Sequence, residues 1–265
     1  MKAVFLSDNH LKREKDAGYR HLMDFFDLLW GRTPGICEQQ VGQEYCDKRG
    51  NGKIIIDDLF IAGDLFDFWF CRNDLIYPEF SAVVGKLKEL KTRGIGINLC
   101  EGNHDFSLKE YFSEQLGMAV FPDWAIIDSD GLRIFVSHGD MVDRSNVKYL
   151  LLRKILRSII FYRLQRCIPI STLWSLARIS SNMSKGLSLE SEDRLAEKME
   201  AFSMEKFKEG FDAVILGHCH KPSLKKYVLE DRERTFATLG DWISRYPYLY
   251  YEDGLFTLSY YRSSP

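Results

Sequence analysis

The chain has 265 residues, 45% of them hydrophobic, and its 36 Lys and Arg against 38 Asp and Glu give a formal net charge of -2. This composition excludes an intrinsically disordered chain and a uniformly basic nucleic-acid-binding protein. The length predicts one large domain, or one domain that carries a smaller insertion. No apolar run reaches the roughly 18 residues that a membrane span needs, and residues 1–8 form too short an apolar segment for a secretory signal. We therefore expect a cytoplasmic protein.

The six cysteines are scattered along the chain without a Cys-x-x-Cys pair. This spacing argues against a zinc ribbon and against a disulfide framework, so we expect reduced thiols. A disulfide between Cys37 and Cys46, which bracket a short loop, is the less favoured alternative.

Short apolar runs that end abruptly in polar residues predict strands buried on both faces. In chain order these runs are 3–6, 59–62, 95–99, 132–136 and 211–216. Helical spacing of apolar residues predicts helices at 19–30, 79–93 and 190–209. The alternation predicts a layered α/β fold, in which functional residues gather beyond the strand ends.

Two segments interrupt the alternation. Residues 31–53 are rich in glycine and polar residues, and they are long for a loop, which indicates a surface excursion or a local hairpin. Residues 142–189 have helical spacing broken at Pro169. We interpret the second segment as an inserted helical lid, with the core formed by 1–141 and 190–265.

Five of the predicted strands end in polar motifs. These are Asp-Asn-His at 8–10, Gly-Asp-Leu-Phe-Asp at 63–67, Gly-Asn-His-Asp at 102–105, Ser-His-Gly-Asp at 137–140 and Gly-His-Cys-His at 217–220. Mixed imidazole and carboxylate ligands suit Mn, Fe or Zn, whereas Ca and Mg prefer oxygen ligands alone. On an extended strand exit Asp8 and His10 share a side, as do His218 and His220, so each pair is expected to reach a common centre.

Each motif taken singly has a simpler explanation. An isolated Asp-x-His is commonly a turn with a solvated histidine, and Asp67 and Asp105 could cap the helices that follow them. Cys219 would point away from its two histidine neighbours, so we leave it out of the ligand set. All five motifs in order, each after an apolar strand, favour a metal site.

This ordered set resembles the calcineurin-like metallophosphoesterase family, from Asp8 to His220. The resemblance implies a four-layer α-β-β-α sandwich with two divalent metal ions, for which we expect Mn²⁺, with Fe or Zn as alternatives. It places Asp8, His10 and His220 at the first ion, Asn103, His138 and His218 at the second, and Asp64 between both. A carboxylate can bridge because it has two anionic oxygens.

The same resemblance implies hydrolysis of a phosphoester by metal-activated water, with Asp64, Asn103 and His104 as catalytic residues. His104 would stabilise charge on the phosphoryl oxygens or protonate the leaving oxygen. Asp67 or Asp105 would orient an imidazole.

Within that family the chain resembles the UDP-2,3-diacylglucosamine hydrolases, peripheral-membrane enzymes of bacterial lipid A synthesis. The shared features are the aromatic-rich turn at 63–69, the helical insertion, Gly-His-x-His-x-Pro at 217–222 and Leu-Gly-x-Trp at 239–242. The resemblance implies water attack on the α-phosphorus of UDP-2,3-diacylglucosamine, which releases UMP and 2,3-diacylglucosamine 1-phosphate. Two departures are His104, where the enterobacterial enzymes have arginine, and the excursion at 31–53.

The insertion has nine basic residues and no acidic residue between 144 and 189, interleaved with aliphatic side chains. This pattern predicts contact with an anionic membrane surface, here the cytoplasmic face of the bacterial inner membrane, and shelter for acyl chains. The alternative is that the apolar residues only pack on the core. Nucleic acid is not expected, because the interleaved side chains are aliphatic rather than stacking aromatics. The expected substrate contacts are His104, Asn146, Ser181, Asn182, Ser184 and Lys185.

Two other functions remain open. A soluble phosphodiesterase or nucleotide pyrophosphatase would use the same two-metal centre without binding membranes. A non-catalytic protein that has kept the fold would bind no metal, but the intact ligand set argues against it.

Overall fold

The computed structural model describes residues 1–31, 52–184 and 191–261, with the side chains of 180–184 outside that description. The strands of these residues form two large β-sheets and one small two-stranded sheet. The strands are β1 (Lys2–Leu6), β2 (Leu29–Gly31), β3 (Ile54–Ile56), β4 (Asp58–Ala62), β5 (Gly96–Cys100), β6 (Ala119–Phe121), β7 (Trp124–Ser129), β8 (Leu132–Ser137), β9 (Ala213–Leu216), β10 (Ser223–Leu229), β11 (Arg232–Thr238), β12 (Pro247–Glu252) and β13 (Leu255–Tyr260). The helices are α1 (Ala17–Leu28), α2 (Ser81–Thr92), α3 (Val147–Leu156), α4 (Ile159–Gln165), α5 (Ile170–Ser184) and α6 (Glu192–Lys208).

The first sheet has the order β13-β12-β1-β4-β5-β6, and the second has the order β10-β11-β9-β8-β7. In the first sheet β1, β4, β5 and β6 are parallel, and in the second β8 and β11 both run parallel to β9. The parallel strands of each sheet therefore end at one edge.

Successive side chains of β1 face opposite sides of the first sheet and pack in different layers of the core. Ala3 and Phe5 pack between the two sheets, whereas Val4 and Leu6 pack with the buried faces of α1 and α2. On the far side of the second sheet, α6 buries Met199 and other side chains against β8, β9 and β11. This arrangement confirms the predicted four-layer α-β-β-α sandwich.

The five predicted strands are present as β1, β4, β5, β8 and β9, with ends that differ by one or two residues. Most antiparallel strands were not predicted, including β10, whose side chains are partly or fully exposed. A strand that is not buried on both faces lacks the continuous apolar run that revealed the others. The helix predicted at 19–30 ends at Leu28, because Leu29–Gly31 pairs with β3.

The segment predicted as a helical insertion contains α3, α4 and α5, and Pro169 lies between the last two. Its boundaries as a lid stay a prediction. Most of the predicted excursion, with Cys37 and Cys46, lies outside the described residues, and the described cysteines are free thiols. In the described part of the chain, no helix combines the length and the apolar character that crossing a membrane requires.

Candidate metal centre and adjoining cavity

The predicted ligands follow strands that end at the same edge of the molecule. β1, β4 and β5 of the first sheet lead to Asp8, Asp64 and Asn103, and β8 and β9 of the second lead to His138 and His218. Backbone hydrogen bonds hold neighbouring exits together, since the Asp8 N–H donates to the Gly63 carbonyl (3.1 Å). Two sheets therefore contribute ligands to one centre.

The strand exits are not extended. Asp8, His10, Asp64 and His218 have positive backbone φ angles of 53°, 45°, 53° and 61°. This left-handed region is uncommon for residues other than glycine. The extended exits that strand alternation assumes are therefore not formed at these residues, although Asp8 and His10 still lie in one group of candidate ligands, as expected.

Asp8, His10 and His220 form the first group of candidate ligands. The Asp8 side chain is fully buried, and its Oδ2 accepts hydrogen bonds from the Ser7 hydroxyl (2.5 Å) and the His218 N–H (2.8 Å). Its Oδ1 has no hydrogen-bond partner among the described residues, and it lies 3.8 Å from His10 Nε2 and 3.5 Å from His220 Nε2. A buried carboxylate oxygen without a partner is costly, so this geometry fits a cation.

Asp64, His138 and His218 form the second group, whose ligand atoms lie within 4.8 Å of one another. Asp64 Oδ2 lies 3.3 Å from His138 Nε2, and Asn103 Oδ1 lies 2.8 Å from that same nitrogen. Asp64 Oδ2 is also 3.8 Å from His10 Nε2 of the first group, so this carboxylate lies between the two groups.

His218 and His220 lie in different groups. This is the same division that the family resemblance implied, with His220 at the first ion and His218 at the second, and the assignment to ions stays a prediction. Cys219 between them is buried and belongs to neither group of described residues.

The Asp64 carboxylate stabilises positive charge on the neighbouring His138 imidazole. Burial acts to raise the pKa of Asp64, but the neighbouring His138 holds that pKa well below its usual range. Burial likewise opposes charge on His138, yet Asp64 raises the pKa of this imidazole to about 10. Burial, together with His138, lowers the pKa of His218 to about 4. The donors and their charges suit divalent cations that accept both nitrogen and oxygen ligands.

His104 lies beside the first group, with its ring centroid 4.9 Å from that of His10. Its Nδ1 is 3.1 Å from the Asp67 carbonyl oxygen, and its N–H donates to Asp64 Oδ1 (2.9 Å). The Asp67 carboxylate forms an ion pair with Lys12 (3.0 Å). Asp67 therefore contacts this imidazole through its main chain, and its carboxylate lies within 4.8 Å of ring nitrogens of His104 and His10 in a third group of candidate ligands.

Asp105 has a different role from the two that were expected. Its carboxylate accepts the N–H groups of Asp64 (2.9 Å), Phe66 (3.1 Å) and Gly102 (3.0 Å). It thus joins the loops after β4 and β5, and these contacts involve neither an imidazole nor a helix N-terminus. Burial, reinforced by the charge of Asp64, raises the pKa of Asp105 to about 8.

The other expected substrate contacts lie on the inserted helices. Asn146 precedes α3, where its side chain accepts the Tyr149 N–H (3.2 Å) as a helix cap. Ser181, Asn182 and Ser184 belong to α5 but their side chains are outside the description, and Lys185 is outside the described residues. These four contacts, and the sugar contact of Asn146, stay predictions.

A cavity of about 630 Å³ adjoins the candidate centre. Asn103, His104 and Asp67 line it on the side of the core. Its wall on the side of the insertion is mostly apolar and includes Leu152, Leu156, Phe161, Leu173 and Leu176. The sequence signal for this wall is the three- and four-residue spacing of apolar side chains in α3 and α5.

Several cations of the insertion pair with carboxylates of the core. Arg153 pairs with Asp140 and Asp123, Arg157 pairs with Glu101, and Arg166 pairs with Glu110. These arginines bind the insertion to the core, so counting all nine cations toward a membrane surface was wrong. Lys148, Lys154, Arg163 and Arg178 are exposed.

Comparisons with known proteins show to which family the chain belongs. The family model of the calcineurin-like phosphoesterases matches residues 1–222. A UDP-2,3-diacylglucosamine hydrolase of Aliivibrio fischeri (strain MJ11) is 29% identical over 220 residues, which cover 81% of this chain and 89% of that protein. One from Aromatoleum aromaticum is 27% identical over 263 residues, covering 94% and 92%.

Among solved structures, a novel archaeal phosphodiesterase is 14% identical with a TM-score of 0.45, and the match covers 98% of this chain and 100% of that one. The family match spans all five strand-end motifs up to His220. The chain therefore belongs to the calcineurin-like phosphoesterase family of hydrolases.

Proposed function

We propose that this protein hydrolyses the pyrophosphate bond of UDP-2,3-diacylglucosamine, releasing UMP and 2,3-diacylglucosamine 1-phosphate. The observation that carries the proposal is the apolar cavity, which begins at Asn103 and His104 and continues between α3 and α5. A substrate with acyl chains next to a pyrophosphate needs an apolar volume beside the hydrolytic centre. The similarity to the two named hydrolases supports the same substrate.

The centre would hold two divalent ions, for which we expect Mn²⁺. We infer that Asp8, His10 and His220 hold one ion, that Asn103, His138 and His218 hold the other, and that Asp64 contacts both. When bound, two such ions lower the pKa of water and stabilise charge on a phosphoryl group.

His104 acts on the substrate rather than on an ion. A hydrogen bond from Nδ1 to the Asp67 carbonyl oxygen (3.1 Å) fixes the ring and leaves Nε2 for the substrate. From Nε2 the imidazolium donates a hydrogen bond to a phosphoryl oxygen, or a proton to the leaving oxygen at the α-phosphorus.

The acyl chains would lie along the apolar side chains of the insertion. Leu152 and Leu176 each line the cavity and remain about half exposed, at 53% and 54%. Binding of acyl chains would remove this apolar surface from water, which is favourable by about 25 cal/mol per Å².

The first experiment measures UMP release from the lipid in mixed detergent micelles with Mn²⁺, beside hydrolysis of the soluble diester bis-p-nitrophenyl phosphate. We expect UMP from wild type. Leu176→Asp should raise KM for the lipid about tenfold or more, because a charge then faces the acyl chains, and should leave the soluble diester unaffected.

Ile179→Asp is the matched control, since Ile179 lies on the same helix at 59% exposure and does not line the cavity. No UMP together with rapid hydrolysis of the soluble diester would support the soluble phosphodiesterase instead. A protein that binds no metal and turns over neither substrate would be the non-catalytic alternative.

The second experiment tests Asp64. Asp64→Ala removes the carboxylate that lies between both ligand groups, so we expect loss of bound Mn²⁺ and at least about a hundredfold loss of turnover. Metal content after dialysis and UMP release are measured on the same samples. Activity close to wild type would refute the shared role of Asp64.

The surface of the inserted helices bears on where the protein acts in the cell. We infer peripheral binding to the cytoplasmic face of the bacterial inner membrane, supported by exposed aliphatic side chains and cations on α3 and α4.

A further inference from the structure

One face of α3 contacts two loops that carry expected ligands of the second ion, namely His138 and Asn103. Tyr149 and Arg153 lie in α3, and Arg157 directly follows it. These residues are spaced four apart, so their side chains share one face of the helix.

Tyr149 and Arg153 contact the loop after β8. The Tyr149 hydroxyl and Arg153 Nε donate to the same Asp140 oxygen, at 2.6 and 2.8 Å. The Asp140 side chain is 2% exposed and lies two residues after His138. Arg153 also donates a hydrogen bond from Nη2 to the carboxylate of Asp123 (2.9 Å).

Arg157 contacts the loop after β5. Its Nη2 donates to the Gly102 carbonyl oxygen (2.7 Å), and Gly102 directly precedes Asn103. Its Nη1 donates to Glu101 Oε2 (3.0 Å) and to the Pro122 carbonyl oxygen (2.7 Å). Glu101 is only 6% exposed in its side chain, so the guanidinium neutralises a buried carboxylate.

The two loops meet at the candidate ligands. His138 Nε2 and Asn103 Oδ1 are 2.8 Å apart. Asn103 directly follows Gly102, and His138 lies two residues before Asp140, so each ligand is close in sequence to a residue that this face of α3 contacts. A shift of α3 would therefore move both ligands relative to Asp64. Groups that orient metal ligands commonly change metal affinity by about 10- to 100-fold when removed.

We propose that Tyr149, Arg153 and Arg157 are positioning residues for the second metal ion, so that the first inserted helix is part of the metal centre. This inference rests on the two-ion centre of the proposed function. A merely structural role would predict lower stability with unchanged metal affinity.

The experiment uses the full chain without substrate. Equilibrium dialysis against graded free Mn²⁺, followed by metal analysis, gives the affinity of each ion for wild type, Tyr149→Phe, Arg153→Ala and Arg166→Ala. The last variant is the control, because Arg166 binds the insertion to the core through Glu110 (3.1 Å) without contacting either loop. A second readout is kcat and KM for bis-p-nitrophenyl phosphate.

We expect Tyr149→Phe and Arg153→Ala to weaken one of the two ions by about tenfold or more and to retain the other. At subsaturating Mn²⁺, kcat for the soluble diester should fall with little change in KM, and Arg166→Ala should match wild type. Tyr149→Phe removes only a hydroxyl, so it decides the question even if Arg153→Ala does not fold.

Unchanged affinity for both ions in Tyr149→Phe would overturn the inference, as would equal weakening in Arg166→Ala. If wild type itself binds fewer than two ions, the two-ion centre fails and the inference fails with it. Two ions in wild type with unaffected variants would refute the positioning role alone.

Discussion

Four of the seven expected ligands have a backbone conformation that residues other than glycine rarely adopt. Asp8, His10, Asp64 and His218 all have positive φ, and such residues each cost about 1–3 kcal/mol. Hydrogen bonds between the strand exits offset that cost, for example from the His10 N–H to the Asp64 carbonyl (2.9 Å). Strain at these residues is consistent with a site that was shaped for binding rather than for stability.

The carboxylate of Asp58, which is not one of the expected ligands, makes the stability of the protein depend on pH. Asp58 is half-buried, and its Oδ1 accepts a hydrogen bond from Asn98 (3.0 Å). Burial, reinforced by the nearby Asp57, raises the pKa of Asp58. Folding therefore favours the neutral form of Asp58. The contribution of this group to the free energy of unfolding is complete below the ordinary pKa of 3.8, and it is lost as the pH rises through the raised pKa of the folded protein.

Asp58→Asn keeps a neutral side chain at every pH, so we expect a higher melting temperature than wild type at pH 8 and a difference that vanishes near pH 3.5. Thermal unfolding followed by circular dichroism across this range measures it. Asp128→Asn, at an exposed position of β7, is the control. A difference that is constant with pH would contradict the assignment.

At the scale of elements, strand ends approach each other too closely for a side chain at two glycines. A Cβ at Gly63, just after β4, would lie 2.6 Å from the His138 ring, and one at Gly102 would lie 2.0 Å from Asp64 Oδ1. Gly63 also has a φ of +85°, which favours glycine. The close approach of β4 to the loop after β8 therefore brings the ligands together.

Gly63→Ala should destabilise the protein by at least about 1–3 kcal/mol, since backbone strain adds to displacement of His138. Gly85→Ala in α2 is the matched control, because a Cβ there meets nothing within 4 Å. It should instead stabilise the protein by about 0.5–1 kcal/mol through helix propensity. Urea unfolding of both variants tests the pair, and equal effects would contradict this account of the strand ends.

At the scale of the whole molecule, the small net charge is an average over two unlike parts. Without the nine cations of 144–189, the chain has 27 Lys and Arg against 38 Asp and Glu, a formal charge of -11. Four of those cations, Arg144, Arg153, Arg157 and Arg166, pair with core carboxylates. Others are exposed and lie among aliphatic side chains such as Ile159 and Ile160, which are 61% and 68% exposed. This combination of apolar surface and cations suits an anionic membrane.

We expect the protein to sediment with vesicles of phosphatidylethanolamine and phosphatidylglycerol, less at high salt, and weakly with phosphatidylcholine alone. Ile159→Asp combined with Ile160→Asp should weaken this binding about tenfold or more. Val228→Asp, 77% exposed on β10, should have no effect. Equal binding to both vesicle types would rule out the electrostatic component.

The sequence alone determined the strand ends and their chemistry. Asp8, Asp64 and His138 each follow a short buried run, and such runs are visible because strands covered on both faces are continuously apolar. The order of the motifs carried the family resemblance, which the family match confirms. The antiparallel strands escaped prediction, since side chains such as those of β10 are not buried on both faces.

Only the tertiary structure decided which side chains meet. His218 and His220 are only two residues apart in the sequence, yet they lie in different groups of candidate ligands. Arg153 and Arg157 read as part of a basic surface, yet both bind buried core carboxylates beside candidate ligands. Local pattern specifies burial and period, whereas the partner of a buried charge lies far away in the chain and is fixed only when the sheets and the inserted helices pack together.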